Sequence, residues 1–200
     1  LSLLGSHASS SITGNIGLPI NDTLTFHVKA YAPSFPFDFR PELDVAAAIP
    51  RPAENVNFAP AGIQKQGTGR LRFGGANSYL GSSTVSGGTL QVDGVQAGSA
   101  VQITSGSRLQ GTGTVGRVSF TGVLMPGGPG ILTCSNLSAA PGGTLQMELN
   151  GTTPGAGYGQ MNVRGAVNLA GAALRTSLNF MSAVGNSFTI INNDGTDDTT

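Results

Sequence analysis

The sequence predicts an all-β chain of short strands with Gly-rich turns, wound into a parallel β-helix or β-solenoid. Three observations lead there. Glycine accounts for 31 of the 200 residues, while Asp, Glu, Lys and Arg together make up only 10 %, a balance that weakens helix interiors and favours tight turns. Short apolar–polar alternations recur between Gly, Ser, Asn and Asp pairs, the pattern of half-buried strands punctuated by turns. Three similar segments, GRLRF at 69–73, GTLQV at 88–92 and SRLQG at 107–111, place Leu71, Leu90 and Leu109 at intervals of 19 residues. A fixed period near 20 is what a solenoid coil requires, because each coil's apolar face is buried only by its neighbour.

Along the chain, residues 9–16 and 23–30 read as strands. Residues 43–49 read as a strand rather than a helical turn, since the run is short and closed by Pro41 and Pro50. Between them, YAPSFPFDFRPE at 31–42 packs four aromatics and three prolines into twelve residues, and its prolines exclude a central strand. This segment reads as a loop covering the solenoid flank. Its aromatics Tyr31, Phe35, Phe37 and Phe39 are also the candidate partner-binding residues, because exposed aromatic clusters mark contact sites. The predicted division is an irregular β/loop region at 1–60 and a solenoid repeat region at 61–200. Within the latter, 83–85, 89–92, 100–104 and 114–120 read as strands, with Gly87-Gly88, Asp93-Gly94 and Ser105-Gly106 as turns. After Gly122 the spacing loosens. Strands are expected at 123–125, 131–137 and 144–149, where Leu145, Met147 and Leu149 share one face, and, beyond a turn cluster at 150–160, at 161–163, 167–169, 173–180 and 187–191.

Ten basic and ten acidic residues cancel, and the basic ones do not cluster, so the chain carries no electrostatic footprint for nucleic acid or an anionic membrane. No run of 18 apolar residues is present, which excludes a helical membrane span in this sequence. Cys134, the single cysteine, sits in the alternating run ILTCSNL and reads as a small buried hydrophobe rather than a reactive thiol. The chain opens at Leu1 without a charged leader region and reads as a mature product or a stretch of a longer polypeptide.

The candidate chemistry is sparse. GTGTVG at 111–116 matches the dinucleotide-binding pattern in letters, but a strand rather than a helix is expected after it, so no cofactor is predicted. Asp194, Asp197 and Asp198 offer clustered oxygens that could suit calcium, yet their spacing fits no known calcium loop and ordinary turn chemistry explains them; no metal is predicted. A polysaccharide-degrading enzyme needs carboxylates and a basic residue converging on one groove. Asp38, Arg40, Glu42, Asp44 and Glu148 are the available groups, with nothing placing a second carboxylate opposite the first. His7 and His27 have no nucleophile motif beside them. Sequons at Asn21, Asn136 and Asn150 are better read as turn and ladder asparagines. No catalytic residues are therefore predicted.

Residues 74–94, GGANSYLGSSTVSGGTLQVDG, resemble the autotransporter-associated β-strand repeat, with Asn77, Tyr79, Gly81, Thr84, Val85, Gly88, Leu90, Val92 and Gly94 filling its pattern. The likeness continues through GTGTVG, MPGGPGIL, TLQMELNGTTPGAGYGQMNV and FTIINNDGTDD, over about residues 62–198. It implies a right-handed, passenger-type β-helix at, or released from, the outer cell surface, with no catalytic residues in the repeat itself. The expected function is accordingly an extracellular stalk, adhesin or fibre scaffold. Its partners would be further coils of the same polypeptide or other copies stacked end to end. The alternative is an adhesin module that offers the 31–42 loop to a surface glycan or protein; a polysaccharide-degrading β-helix ranks behind both.

Overall fold

The computed structural model describes residues 10–14, 16, 23–29, 43–50 and 62–194. Among them are twenty strands and no helix, arranged in three sheets. The first sheet contains β1 (Ser10–Ile12), β3 (Leu43–Val45), β5 (Arg70–Phe73), β7 (Gly88–Val92), β10 (Ser107–Gly111), β13 (Val123–Pro126), β16 (Thr144–Leu149) and β19 (Ala173–Leu178). The second contains β2 (Leu24–His27), β4 (Ile63–Gln66), β6 (Ser83–Val85), β9 (Val101–Ile103), β12 (Val118–Phe120), β15 (Leu137–Ala139) and β18 (Val167–Asn168). The third contains β8 (Val95–Gln96), β11 (Thr114–Val115), β14 (Gly130–Cys134), β17 (Gly159–Val163) and β20 (Ile191–Asn193). From β7 onward the chain visits the first, third and second sheets in turn and then returns to the first. Each strand pairs in parallel with its equivalent one coil away. The fold is the parallel β-solenoid that the periodicity predicts.

The 19-residue leucine spacing becomes a ladder through the core. Leu43, Leu71, Leu90, Leu109, Leu124, Leu145 and Leu174 stand directly opposite one another in successive coils of the first sheet. All except Leu174 are buried. In the second sheet Leu24, Ile63, Ser83, Val101, Val118, Leu137 and Val167 form an equivalent inward row. The period varies from coil to coil, with 15 residues between Leu109 and Leu124 and 29 between Leu145 and Leu174. The register nonetheless holds, because extra residues are placed at corners, where they leave the inward rows undisturbed.

Corners also explain the glycine content. Gly75, Gly94 and Gly113 stack at one bend. A Cβ at Gly94 would strike the Gly75 carbonyl, and one at Gly113 would strike the Gly94 carbonyl. Adjacent coils approach there as closely as two backbones can, which only a residue without a side chain permits.

Three strand expectations are corrected. Residues 114–120 are two strands, β11 and β12, in different sheets. The bend at Gly116 separates them, and a Cβ there would strike the Ser99 carbonyl of the previous coil. Residues 131–137 likewise divide between β14 and β15. The last strand among the described residues is Ile191–Asn193, so most of the expected 187–191 strand is a loop carrying Phe188 toward Tyr158. Short continuous apolar runs do not show where a coil turns its corner.

Candidate functional site

Tyr31, Phe35, Phe37 and Phe39 lie outside the described residues, as do Asp38, Arg40, Glu42, His7, Asp197 and Asp198. Asp194 follows β20, and its amide donates to the Val163 carbonyl at 3.3 Å. Among the described residues no three His, Cys, Asp or Glu side chains group so as to hold a metal. His27 and Glu148 sit on strands of different sheets. GTGTVG runs from the end of β10 through β11 to the bend at Gly116, with no helix N-terminus to receive a phosphate. At Gly111 (φ +129°) a Cβ would strike the Val92 carbonyl, so this glycine serves backbone stacking. Cys134 is buried in the inward row of β14, and burial pushes its thiol pKa up to about 12, which makes it inert, in keeping with the buried-hydrophobe reading.

Asp44 belongs to a polar network on the outer face of the first sheet. Arg72 donates from Nη1 to both Asp44 oxygens at 3.1 Å and from Nε to Asp93 Oδ2 at 2.7 Å. Gln91 Nε2 donates to the same Asp93 oxygen at 2.8 Å, and Gln110 Nε2 donates to Gln91 Oε1 at 3.1 Å. Asp44, Arg72, Gln91 and Gln110 are successive rungs of one outward ladder. Partial burial raises the Asp93 pKa, but hydrogen bonds from Arg72 and Gln91, the Arg72 charge and the Thr112 amide outweigh it, and the net shift is downward. The Asp93 hydrogen bond correspondingly raises Arg72. One cation, Arg72, therefore bridges two carboxylates, Asp44 and Asp93, that belong to different coils.

The interior holds polar groups that sequence reading passed over. Lys65 occupies an inward rung of the second sheet, between Phe26 and Val85, and is 1 % exposed. Its Nζ donates to the carbonyls of Gln66, Gly67 and Gly87 at 2.8, 2.9 and 3.0 Å, a three-acceptor cradle at the corner. The signal was present in IQKQ, where Lys65 shares the parity of Ile63. Nearby, Tyr79, Ser83, Gln96 and Ser99 form a buried cluster: Tyr79 Oη lies 2.6 Å from Ser83 Oγ and 3.2 Å from Gln96 Oε1, and Ser83 Oγ lies 3.0 Å from Ser99 Oγ. Burial raises the Tyr79 pKa, keeping its hydroxyl protonated. Asn77 Oδ1 accepts from the Ile49 amide at 2.9 Å. Two buried donors, Asn77 Nδ2 and Gln96 Nε2, have no partner.

The last coil differs from the rest. β19 pairs with β16 over six residues, yet every residue of β19 is exposed. Leu174 and Leu178, opposite buried Leu145 and Leu149, are 55 % and 56 % exposed. Among the described residues no further strand pairs with β19, and its inward row is open to solvent. At the adjoining corner Tyr158, Phe180 and Phe188 pack edge-on, with centroids 5.4 and 6.2 Å apart. Asparagines bridge coils, Asn179 Nδ2 donating to Asn150 Oδ1 at 2.8 Å and Asn192 Nδ2 to Asn162 Oδ1 at 3.2 Å, which gives Asn150 the ladder role expected of it.

Residues 63–92 match the family model of the passenger-associated-transport-repeat. The match runs from the start of β4 to the end of β7 and contains Asn77, Tyr79 and Ser83. It agrees with the resemblance read at residues 74–94 and is shorter than the 62–198 over which that likeness extends. No curated protein and no solved structure matches the chain. No helix among the described residues is long and apolar enough to cross a membrane, a statement that does not bear on β-barrels.

Proposed function

We propose that this chain is a length of extracellular scaffold, a stalk or adhesin shaft displayed by a passenger-type surface protein, with its mechanical continuity supplied by coil stacking. The observation that carries this reading is the passenger-associated-transport-repeat match, set within an unbroken stack of parallel coils. The match to a passenger-associated repeat supports a location at or beyond the outer cell surface. A solenoid lengthens by adding coils without redesign of its core, which suits a shaft. The ion pairs of Arg72 with Asp44 and Asp93 on the first sheet bind coil to coil.

The partner in this reading is another coil, from the same polypeptide or a second copy. The outer edge of β19, with Leu174 and Leu178 in the core register, is where it would add as a further parallel strand.

Immunogold labelling of intact cells that make the protein, using antibody raised against the 200-residue chain, tests the location. Gold at the surface, or along filaments projecting from it, is expected. Labelling that requires permeabilised cells would overturn the proposal.

A further inference from the structure

The buried cluster beside Tyr79 has too few protons for its contacts as oriented, and counting them shows how it is wired. Ser99 Oγ donates to the Gly81 carbonyl at 2.8 Å; a carbonyl only accepts, so the Ser99 proton is committed there. With Gln96 Oε1 facing Tyr79 at 3.2 Å, the Tyr79 proton must go to Gln96. The single Ser83 proton then has to fill both the 2.6 Å contact with Tyr79 and the 3.0 Å contact with Ser99. One short oxygen–oxygen contact is left without a hydrogen. The same orientation leaves Gln96 Nε2 and Asn77 Nδ2 as buried donors without acceptors, in residues only 0 % and 5 % exposed. Buried donors in this state are costly.

We infer that the Gln96 amide is turned by half a revolution, so that Nε2 donates to Tyr79 Oη and Oε1 accepts from Asn77 Nδ2. Amide oxygen and nitrogen are interchangeable in shape and are assigned by their hydrogen-bond network. Every contact then has one proton: Gln96 to Tyr79, Tyr79 to Ser83, Ser83 to Ser99, and Ser99 to the Gly81 carbonyl. The rotated oxygen takes the place of the orphaned nitrogen. We assign Asn77 Nδ2 as its donor, because the parallel bridge between Ala76 and Val95 brings the next residues, Asn77 and Gln96, to adjacent positions in successive coils, and both are buried. Asn77 Oδ1 already accepts from Ile49, so the wire runs unbroken from Ile49 to Gly81 and touches three coils.

The wire is a recognition device between coils. Asn77, Tyr79 and Ser83 belong to the matched repeat, whereas Gln96 and Ser99 belong to the coil that follows it. The repeat therefore selects a following coil that presents an amide at position 96 and a hydroxyl at position 99. An all-apolar coil there would strand Asn77 Nδ2 and remove the hydrogen-bond partners of Tyr79 and Ser83, which fixes the order and register in which these coils stack.

Neutron diffraction from deuterated crystals of the full chain tests the wiring directly. Two deuterons are expected on the Gln96 amide atom facing Tyr79, with the Tyr79 deuteron directed at Ser83. A bare oxygen facing Tyr79, with the Tyr79 deuteron directed at Gln96, would overturn the inference, whether or not a water lies beside Asn77. In solution Gln96→Leu, which keeps the apolar bulk, is expected to lower the urea midpoint; an unchanged or raised midpoint would remove the recognition role.

Discussion

Leu90→Ala and Leu174→Ala delete the same atoms from the same ladder, and the solenoid makes their costs differ severalfold. Leu90 is 1 % exposed and lies between Leu71 and Leu109, each in direct register with it. Its truncation loses full burial of the side chain and leaves a cavity walled by neighbouring coils, a combination worth about 3–4 kcal/mol. Leu174 is 55 % exposed and has a partner rung, Leu145, on one side only. More than half of its surface is already hydrated and no closed cavity forms, so the cost is below about 1 kcal/mol. With an m-value near 2 kcal/mol/M, the Leu90 variant should shift the urea midpoint by roughly 1.5–2 M and the Leu174 variant by less than roughly 0.5 M. Far-UV circular dichroism across a urea series reads both. Equal shifts would mean that Leu174 is covered in solution or that the ladder is not the core, and would refute the reasoning.

Further outcomes follow from the polar groups. Lys65→Ala should cost about 3–5 kcal/mol, since it removes the donor that three carbonyls share and opens a cavity, while Lys65→Met, which restores the volume, should recover part of that; a Lys65→Met urea midpoint at or above that of wild type would contradict the cradle. Asp93 has a folded pKa below its ordinary 3.8, so its stabilising effect is complete above about pH 4 and is lost as pH falls through the folded value. The stability gap between wild type and Asp93→Asn should accordingly close on acidification below pH ~4, as read by urea midpoints at stepped pH. The Cys134 thiol, ordinarily ionising near 9.0, is raised to about 12. Its contribution is therefore intact below pH ~9 and declines between about 9 and 12 as the unfolded thiol ionises first. Ellman's reagent at pH 8 should label it only at the rate of unfolding, and rapid stoichiometric labelling of native protein would show the core to be open there. Gly111→Ala, at φ +129° and against the Val92 carbonyl, should cost more than about 2 kcal/mol by urea denaturation.

The fold was legible because its core is a translation of one pattern. Leu71, Leu90 and Leu109 keep a constant interval, and the structure turns that interval directly into rungs. The rows beyond Leu109 are as regular in space, but the intervals of 15 and 29 residues hide them, since corner length is free where inward parity is not. Corners inside apolar runs, as at Gly116 within 114–120, are set by backbone approach to the preceding coil, which hydrophobic alternation does not encode. The interior polar groups were hidden for a related reason. Asn77 and Tyr79 stood out only as letters of a repeat, and their partners Gln96 and Ser99 are separated from them along the chain. Lys65 was readable from parity alone, as a cation on the apolar face of a strand. Glu148 was weighed for chemistry without regard to the sheet it belongs to, and its place on the outer face of β16, against Gly128, became visible only in space.

Distances across the stack test the solenoid most directly. Gln64, Thr84, Gln102, Ser119, Ser138 and Asn168 form one outward row of the second sheet. Successive rungs are separated by the inter-strand spacing of about 4.8 Å. Pairs of spin labels at Gln64 with each of Ser119, Ser138 and Asn168, in a Cys134→Ala background, can be measured by double electron–electron resonance. The distance should grow by one rung per coil, to roughly 24 Å of backbone separation between Gln64 and Asn168. Distances that fail to increase in this order would contradict the coil stack on which every other conclusion rests.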